Sequence, residues 1–284
     1  MTKPLFLICP GIPKCGTTML WEIFRCYNTY IHCGLLKESG YLCLANLRRN
    51  RLLHVDQFAW IEKNFKHDLK NQHNKIKYPN SINHLQDRLP EEIYAKFSSE
   101  KYSLFTYAEY YLRLYDIVNS VYYGVGDFST AYAEYNFTKD YLEEIDGYLS
   151  NFFTVKIVIL FRDPVKRLFS YCHMQKINCN LSSALDLYSE SIYKPNVQNL
   201  YPNVYDKFFN VFGDRVLILN ELFFDPNYQS QREQAEKFLE VPKINIENLV
   251  LENKQNYTEI LSDHDIRLGK ELLKPSYDFY YSMF

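Results

Sequence analysis

Net charge is almost lacking in this chain. Its 32 Lys and Arg residues stand against 34 Asp and Glu, for a formal net charge of −2. A general nucleic-acid binder carries a strongly basic footprint, so that class is excluded and any anion site must be local. Cysteine is present without a pattern. Cys9, Cys15, Cys26, Cys33, Cys43, Cys172 and Cys179 form an odd set with no C-x-x-C pair, a poor disulfide framework and a poor zinc site. No other metal-ligand cluster stands out, so no metal is expected. Long hydrophobic runs are missing too. Leu5 to Cys9 is too short for a signal peptide or a membrane span, and no basic leader precedes an apolar segment. The expectation is a reduced, cytoplasmic location with no membrane span. The sequons at Asn136, Asn180 and Asn256 are then accidental. Internal repeats and low-complexity tracts are absent as well.

What the chain does have is core material. Of its 284 residues, 47% are hydrophobic, enough to fill a sizeable interior and to argue against disorder. The 26 Tyr and 20 Phe suit packing, and a surplus of Tyr also suits a cleft that stacks on a base or sugar. No linker divides the chain, so residues 1–284 are expected to form a single domain. Residues 46–105 are expected to be a helical and loop insertion near a ligand cleft. That stretch holds Arg48-Arg49-Asn50-Arg51, an anion contact or, more ordinarily, a solvated helix face.

Leu5 to Cys9 reads as a buried strand ended by Pro10 and Gly11, and Leu20, Ile23, Phe24 and Tyr27 then repeat at helical spacing. A strand, a short loop and a helix starting near Thr17 open a doubly wound α/β unit. Further strands are expected at Val121–Gly126, Val155–Phe161 and Val216–Leu219. Asp163-Pro164 is a helix start, with Asp at the N-cap and Pro at the first helical position. Val165, Leu168, Phe169 and Cys172 supply its apolar stripe. An amphipathic helix is expected near Gln231–Leu239.

Two segments carry phosphate-binding chemistry. The first is Gly11-Ile12-Pro13-Lys14-Cys15-Gly16-Thr17-Thr18. A strand feeding a tight loop and then a helix gathers backbone N–H groups around one point, and Thr17 and Thr18 add hydroxyls. It is not the nucleoside-triphosphate loop G-x-x-x-x-G-K-[ST], because Thr17 stands where that motif needs its Lys. The second is Phe161-Arg162-Asp163-Pro164-Val165-Lys166-Arg167-Leu168-Phe169-Ser170. Arg162 falls at the carboxyl end of a buried strand, where open α/β sheets bind ligands. Ser170 lies about two turns into the next helix, at ~3.6 residues per turn.

The first segment resembles the 5′-phosphosulfate loop of sulfotransferases that use 3′-phosphoadenosine-5′-phosphosulfate (PAPS). The second resembles their 3′-phosphate motif, R-[DN]-P-x-x-R-x-x-S, with Arg162, Asp163, Pro164, Arg167 and Ser170 all matching. Lys37-Glu38-Ser39-Gly40-Tyr41 is similar to the K-E-x-x-[FY] segment of the carbohydrate (heparan-type) branch, whose Glu is the general base. Gly126 to Tyr132 is similar to that branch's acceptor-cleft segment, and Asn220-Glu221-Leu222-Phe223 to its Y-E-D-L segment. Leu273-Lys274-Pro275 and Phe279-Tyr280 resemble its terminal L-x-x-x-[FY]. Phe128 and Thr130 depart from the acceptor segment, where the family has Lys and Pro.

The resemblance implies a three-layer α/β fold: a mostly parallel central sheet with helices on both faces, P-loop-like. It implies a PAPS-dependent sulfotransferase that acts on an acceptor hydroxyl, first of all a saccharide, and releases the bisphosphate product PAP without a metal. Lys14 and Glu38 would be catalytic. Pro13, Lys14, Cys15, Gly16, Thr17, Thr18, Arg162 and Ser170 would hold the nucleotide, and Lys37, Asp127 and Ser129 would meet the acceptor. The alternatives are a small-molecule alcohol or phenol sulfotransferase, a P-loop nucleotide kinase, and a non-catalytic nucleotide-binding module.

Overall fold

The computed structural model describes residues 3–24, 30–33, 40–50, 102–119, 122–134, 137–174, 197–246 and 262–284. Among them, five strands form one sheet: β1 (Leu5–Ile8), β2 (Ile31–His32), β3 (Gly124–Asp127), β4 (Thr154–Leu160) and β5 (Val216–Leu219). Their spatial order is β2-β3-β1-β4-β5 and every pairing is parallel. Parallel neighbours cannot be joined by a hairpin, so the chain must cross over between them. It leaves β1 toward the β2–β3 side and leaves β4 toward β5. The switch point therefore lies between the carboxyl ends of β1 and β4, where sheets of this kind form a ligand crevice.

Burial shows the layering directly. Every residue of β1 and β3 is buried, and so is every residue of β4 after Thr154. Successive strand side chains point to opposite faces, so the central strands are covered on both. The expected three-layer α/β arrangement is present, and the sheet is parallel throughout. Gly124 marks how closely β1 and β3 approach, because a Cβ there would lie 2.3 Å from the Leu5 carbonyl oxygen.

The helices that cover the sheet follow ordinary rules. Helix α1 (Thr17–Glu22) follows β1, and α2 (Tyr41–Asn50) precedes α3 (Leu104–Val118). Ser103 caps α3 by accepting from the Thr106 N–H. Tyr107 and Tyr111 on α3 meet Phe6 of β1 at ring distances of 6.0 and 4.8 Å. A short α4 (Ala131–Glu134) comes after β3, then α5 (Lys139–Leu149), capped by Thr138. Its Tyr141, Leu142, Ile145 and Leu149 are buried, the helical spacing of one apolar face. Helix α6 (Pro164–Met174) follows β4, α7 (Leu200–Phe212) precedes β5, and α8 (Gln229–Leu239) comes after it. Two carboxy-terminal helices, α9 (Asp263–Leu272) and α10 (Lys274–Met283), abut at Leu273. A Ser262/Asp265 capping box starts α9.

The strand expected at Val121–Gly126 begins instead at Gly124, since pairing with β1 starts at Leu5 opposite Gly124. Before that point, the N–H groups of Tyr123 and Gly124 both reach the Tyr30 carbonyl. The β4 strand is shifted by one residue from its expected bounds, and α8 starts two residues early. Most of the expected 46–105 insertion lies outside the described residues, as do the sequon asparagines Asn136, Asn180 and Asn256. Among the described residues, no helix is long and apolar enough to cross a membrane.

Candidate nucleotide-binding site

The loop from Cys9 to Gly16 leaves β1 at the switch point and is tied to both neighbouring strands. Cys9 N–H donates to the Asp127 carbonyl at the end of β3 (2.8 Å). On the other side, Ile12 N–H donates to the Leu160 carbonyl (3.3 Å), and Leu160 N–H to the Gly11 carbonyl (3.2 Å). Pro10 accepts from the Ala133 N–H of α4 at 2.8 Å. A loop held at this many main-chain points is a rigid platform.

Its far end is where anion chemistry gathers. Lys14 takes a left-handed conformation with φ of 69°, and so does Gly16 with φ of 94°. Glycine is the residue that permits the second turn. A side chain at position 16 would also collide with the Phe224 ring, 2.6 Å from the position of its Cβ. Gly16 is the N-cap of α1, and no side chain caps that helix. Among the described residues, the N–H groups of Gly16, Thr17 and Thr18 make no hydrogen bond. Successive open amides of this kind form a concavity for an anion.

The second segment comes to the same place. Phe161 continues the β4–β5 ladder through its N–H to the Leu219 carbonyl, and Arg162 follows at the strand's carboxyl end. Asp163 then caps α6, its Oδ1 accepting from the Lys166 N–H at 2.9 Å. Asp163 and Pro164 thus do what their order in the sequence predicts. Val165, Leu168 and Cys172 are buried, whereas Phe169 is only partly so, and the buried side of α6 also takes Arg167 and Ser170.

Arg162 and Arg167 both reach back across 148 and 154 residues of sequence. Arg162 Nη1 donates to the Lys14 carbonyl at 3.5 Å, a long contact, and Arg167 Nε to the Pro13 carbonyl at 3.1 Å. Tyr201 of α7 closes the joint. Its hydroxyl donates to the Arg162 carbonyl at 2.6 Å and lies 3.7 Å from the Cys15 sulfur. Burial pushes the Cys15 thiol up to about 11, against the pull of Arg167 and Arg162. The side chain of Cys15 is therefore a neutral packing group, and only its main chain is available to a ligand.

The carboxy-terminal helix braces the rim. Tyr280 donates to Glu221 Oε2 at 2.7 Å, and Glu221 Oε1 accepts from the Asp163 N–H at 3.4 Å. Tyr281 donates to Asp163 Oδ2 at 2.9 Å. Glu221 and Tyr280, from two segments far apart in the sequence, thus meet at the start of α6.

The loop that carries Pro13, Lys14, Gly16, Thr17 and Thr18 and the strand end that carries Arg162 are thus brought together. Ser170 stands one turn beyond Arg167 and is 5% exposed. Asp127 and Ser129 are wholly buried. Asp127 Oδ2 accepts from the hydroxyls of Tyr107 and Tyr132, each at 2.7 Å, and Ser129 Oγ accepts from the Gly40 N–H at 3.0 Å. Both are engaged in joining β3 to α2 and α3. Lys37 and Glu38 lie outside the described residues. Among the described residues no group of His, Cys, Asp and Glu could hold a metal ion.

Tyr201, the inward turn of Arg167 and the contact of Tyr281 with Asp163 are not marked in the sequence. An arginine on a helix is ordinarily a surface group, and nothing local marks Tyr201 among the other tyrosines. Arg167 does stand beside the apolar stripe of α6 and at a matching position of the strand-end motif, and those were the available signals.

No family model matches the chain, and no curated protein matches it in sequence. In structure it is similar to a sulfotransferase from Alicyclobacillus acidocaldarius, with a TM-score of 0.55 and 19% identity. The match covers 97% of this chain and 93% of that one. The chain thus shares the α/β fold of a sulfotransferase along nearly its whole length.

Proposed function

We propose that this protein transfers a sulfuryl group from PAPS to an acceptor hydroxyl, by in-line displacement. One observation carries the proposal: Arg162, from the 3′-phosphate-like motif, touches the Lys14 carbonyl of the 5′-loop-like segment. PAPS differs from other adenine nucleotides in bearing a 3′-phosphate, so its recognition needs both anion subsites in one crevice. The shared fold supports the same assignment.

The residues present fit that nucleotide. The open amides of Gly16, Thr17 and Thr18 and the two threonine hydroxyls suit the 5′-phosphate. Pro13 and Cys15 contribute main chain to the same loop. Arg162 and Ser170 suit the 3′-phosphate. Bound there, PAPS would supply an activated sulfuryl group with PAP as the leaving group. Sulfuryl transfer resembles phosphoryl transfer, in which positioning and electrostatics do most of the work. Lys14 supplies positive charge for the oxygen on which negative charge grows as the bond breaks. No protein group needs to form a covalent bond.

The acceptor hydroxyl needs a proton acceptor, and Glu38 is our candidate, worth ~10²–10⁴-fold in rate as a general base. A saccharide hydroxyl is the acceptor we propose first, on the resemblance of the Lys37–Tyr41 segment, with Lys37 as its proposed contact. Titration calorimetry with PAP, PAPS and ATP tests the donor assignment. Tight binding of PAP with weak ATP supports it, and preference for ATP overturns it. Turnover on a panel of saccharides, phenols and alcohols tests the acceptor.

A further inference from the structure

Arg167 belongs by sequence to the strand-end motif, yet its contact lies in the other loop. It is 2% exposed. A guanidinium taken that far out of water needs its donors used and its charge placed where it is wanted. Its Nε donates to the Pro13 carbonyl at 3.1 Å, and its head lies 6.0 Å from the Tyr171 ring centre. Its charge reaches into the loop as well, for Arg167 leads Arg162 among the cations that draw the Cys15 thiol down against burial.

The peptide unit is planar, so fixing the Pro13 carbonyl fixes the Pro13–Lys14 plane and the direction in which the chain enters Lys14. Lys14 sits at φ 69°, a conformation a non-glycine residue keeps only when its surroundings hold it. Arg167 holds the carbonyl before Lys14, and Arg162 the carbonyl of Lys14 itself. The two arginines differ in exposure: Arg162 is partly open to solvent and Arg167 is buried.

We propose that Arg167 is a positioning residue of the 5′-phosphate loop and not a ligand of the 3′-phosphate. It fixes the left-handed turn at Lys14 and lends the loop a buried positive charge. The proposal rests on the donor assignment made above, and it divides the strand-end motif into two duties. Arg162, partly open to solvent, is left to serve the nucleotide as well as the loop, while Arg167 serves the loop.

Competition binding against PAP separates the two ends of the nucleotide. Adenosine 5′-monophosphate and adenosine 3′-monophosphate are titrated into the full chain, as wild type, Arg167→Met and Arg167→Lys. Arg167→Met is expected to weaken the 5′-monophosphate about tenfold and the 3′-monophosphate by less than about threefold, the scale of one charged hydrogen bond. Arg167→Lys keeps charge and a donor, so it should recover part of the 5′ loss. Should the Met variant not fold, the Lys variant is read alone, with a smaller loss confined to the 5′-monophosphate. Equal loss at both ends, or loss at the 3′ end alone, overturns the proposal. Wild-type protein that fails to bind PAP overturns the donor assignment itself and this inference with it. Wild-type binding with the wrong pattern in the variants overturns only the role of Arg167.

Discussion

The hydroxyl of Tyr201 donates to the main-chain carbonyl of Arg162 at 2.6 Å, while its ring stacks on Phe161 with centroids 4.6 Å apart. One buried side chain from α7 thereby fixes both the strand end that carries Arg162 and, through Cys15, the loop that carries Lys14.

Tyr201→Phe keeps the stack and removes the donor. The Arg162 carbonyl then loses its partner in a buried setting, a loss of about 1–3 kcal/mol. Urea unfolding should show a lower midpoint with an unchanged slope, and PAP should bind several-fold more weakly. Unchanged stability and unchanged PAP affinity would count against the tie.

Lys14→Ala addresses charge development in the transition state. Loss of one such group typically lowers kcat by about 10²–10³-fold. Turnover near the wild-type rate, measured with an acceptor the enzyme accepts, would remove Lys14 from its assigned role.

Gly16→Ala meets two obstacles at once, φ of 94° and the Phe224 ring 2.6 Å away. Destabilisation of about 1–3 kcal/mol is expected. Adding Phe224→Ala removes the collision but leaves the backbone strain, so thermal unfolding of the double variant should show only partial relief of the Gly16→Ala defect. Full relief would show that φ carries no cost here.

Asp127→Ala strips the shared acceptor from the buried hydroxyls of Tyr107 and Tyr132. At about 1–3 kcal/mol for each stranded group, a loss of roughly 2–6 kcal/mol is expected by denaturant titration. Asp127→Asn, which keeps an acceptor oxygen, should lose less. A stable Ala variant with a changed acceptor KM would instead assign Asp127 to the substrate.

Lys207 offers a test by pH. Its Nζ donates to the Ala133 carbonyl at 3.0 Å, and burial pulls its pKa down to about 8. The unfolded chain, with an ordinary lysine near ~10.4, holds more protons above that point. Charged Lys207 therefore disfavours folding in full below about pH 8, and the penalty is relieved as pH climbs toward ~10. Wild-type stability relative to Lys207→Met should rise over that window, by at most about 1.4 kcal/mol per pH unit. A flat difference between pH 7 and 9.5 would refute it.

The sheet and the helix start after β4 were readable because their signals are local. Leu5–Ile8 and Thr154–Leu160 are dense apolar runs, and Asp163-Pro164 is a helix start that any context would honour. The two-residue β2 at Ile31–His32 is too short to show a period. Helices α3 and α7 are so rich in tyrosine and phenylalanine that their apolar stripes blur into the rest of the chain. That Asp127 binds Tyr107 of α3 and Tyr132 of α4 was not legible, because the first partner is distant in sequence and the second is helically displaced. What joins the site across 150 residues could not be read from either motif alone.

Those joins run through oxygen atoms of the main chain: Pro13, Lys14 and Arg162 each lend a carbonyl, and each carbonyl receives a side chain from another element. A carbonyl survives any substitution at its own position. A change of side chain at Pro13 can therefore proceed while the carbonyl that Arg167 holds stays in place. Selection would then bear most tightly on the donors, Arg162, Arg167 and Tyr201, and a library randomised at Pro13 should retain a folded loop where one randomised at Tyr201 does not.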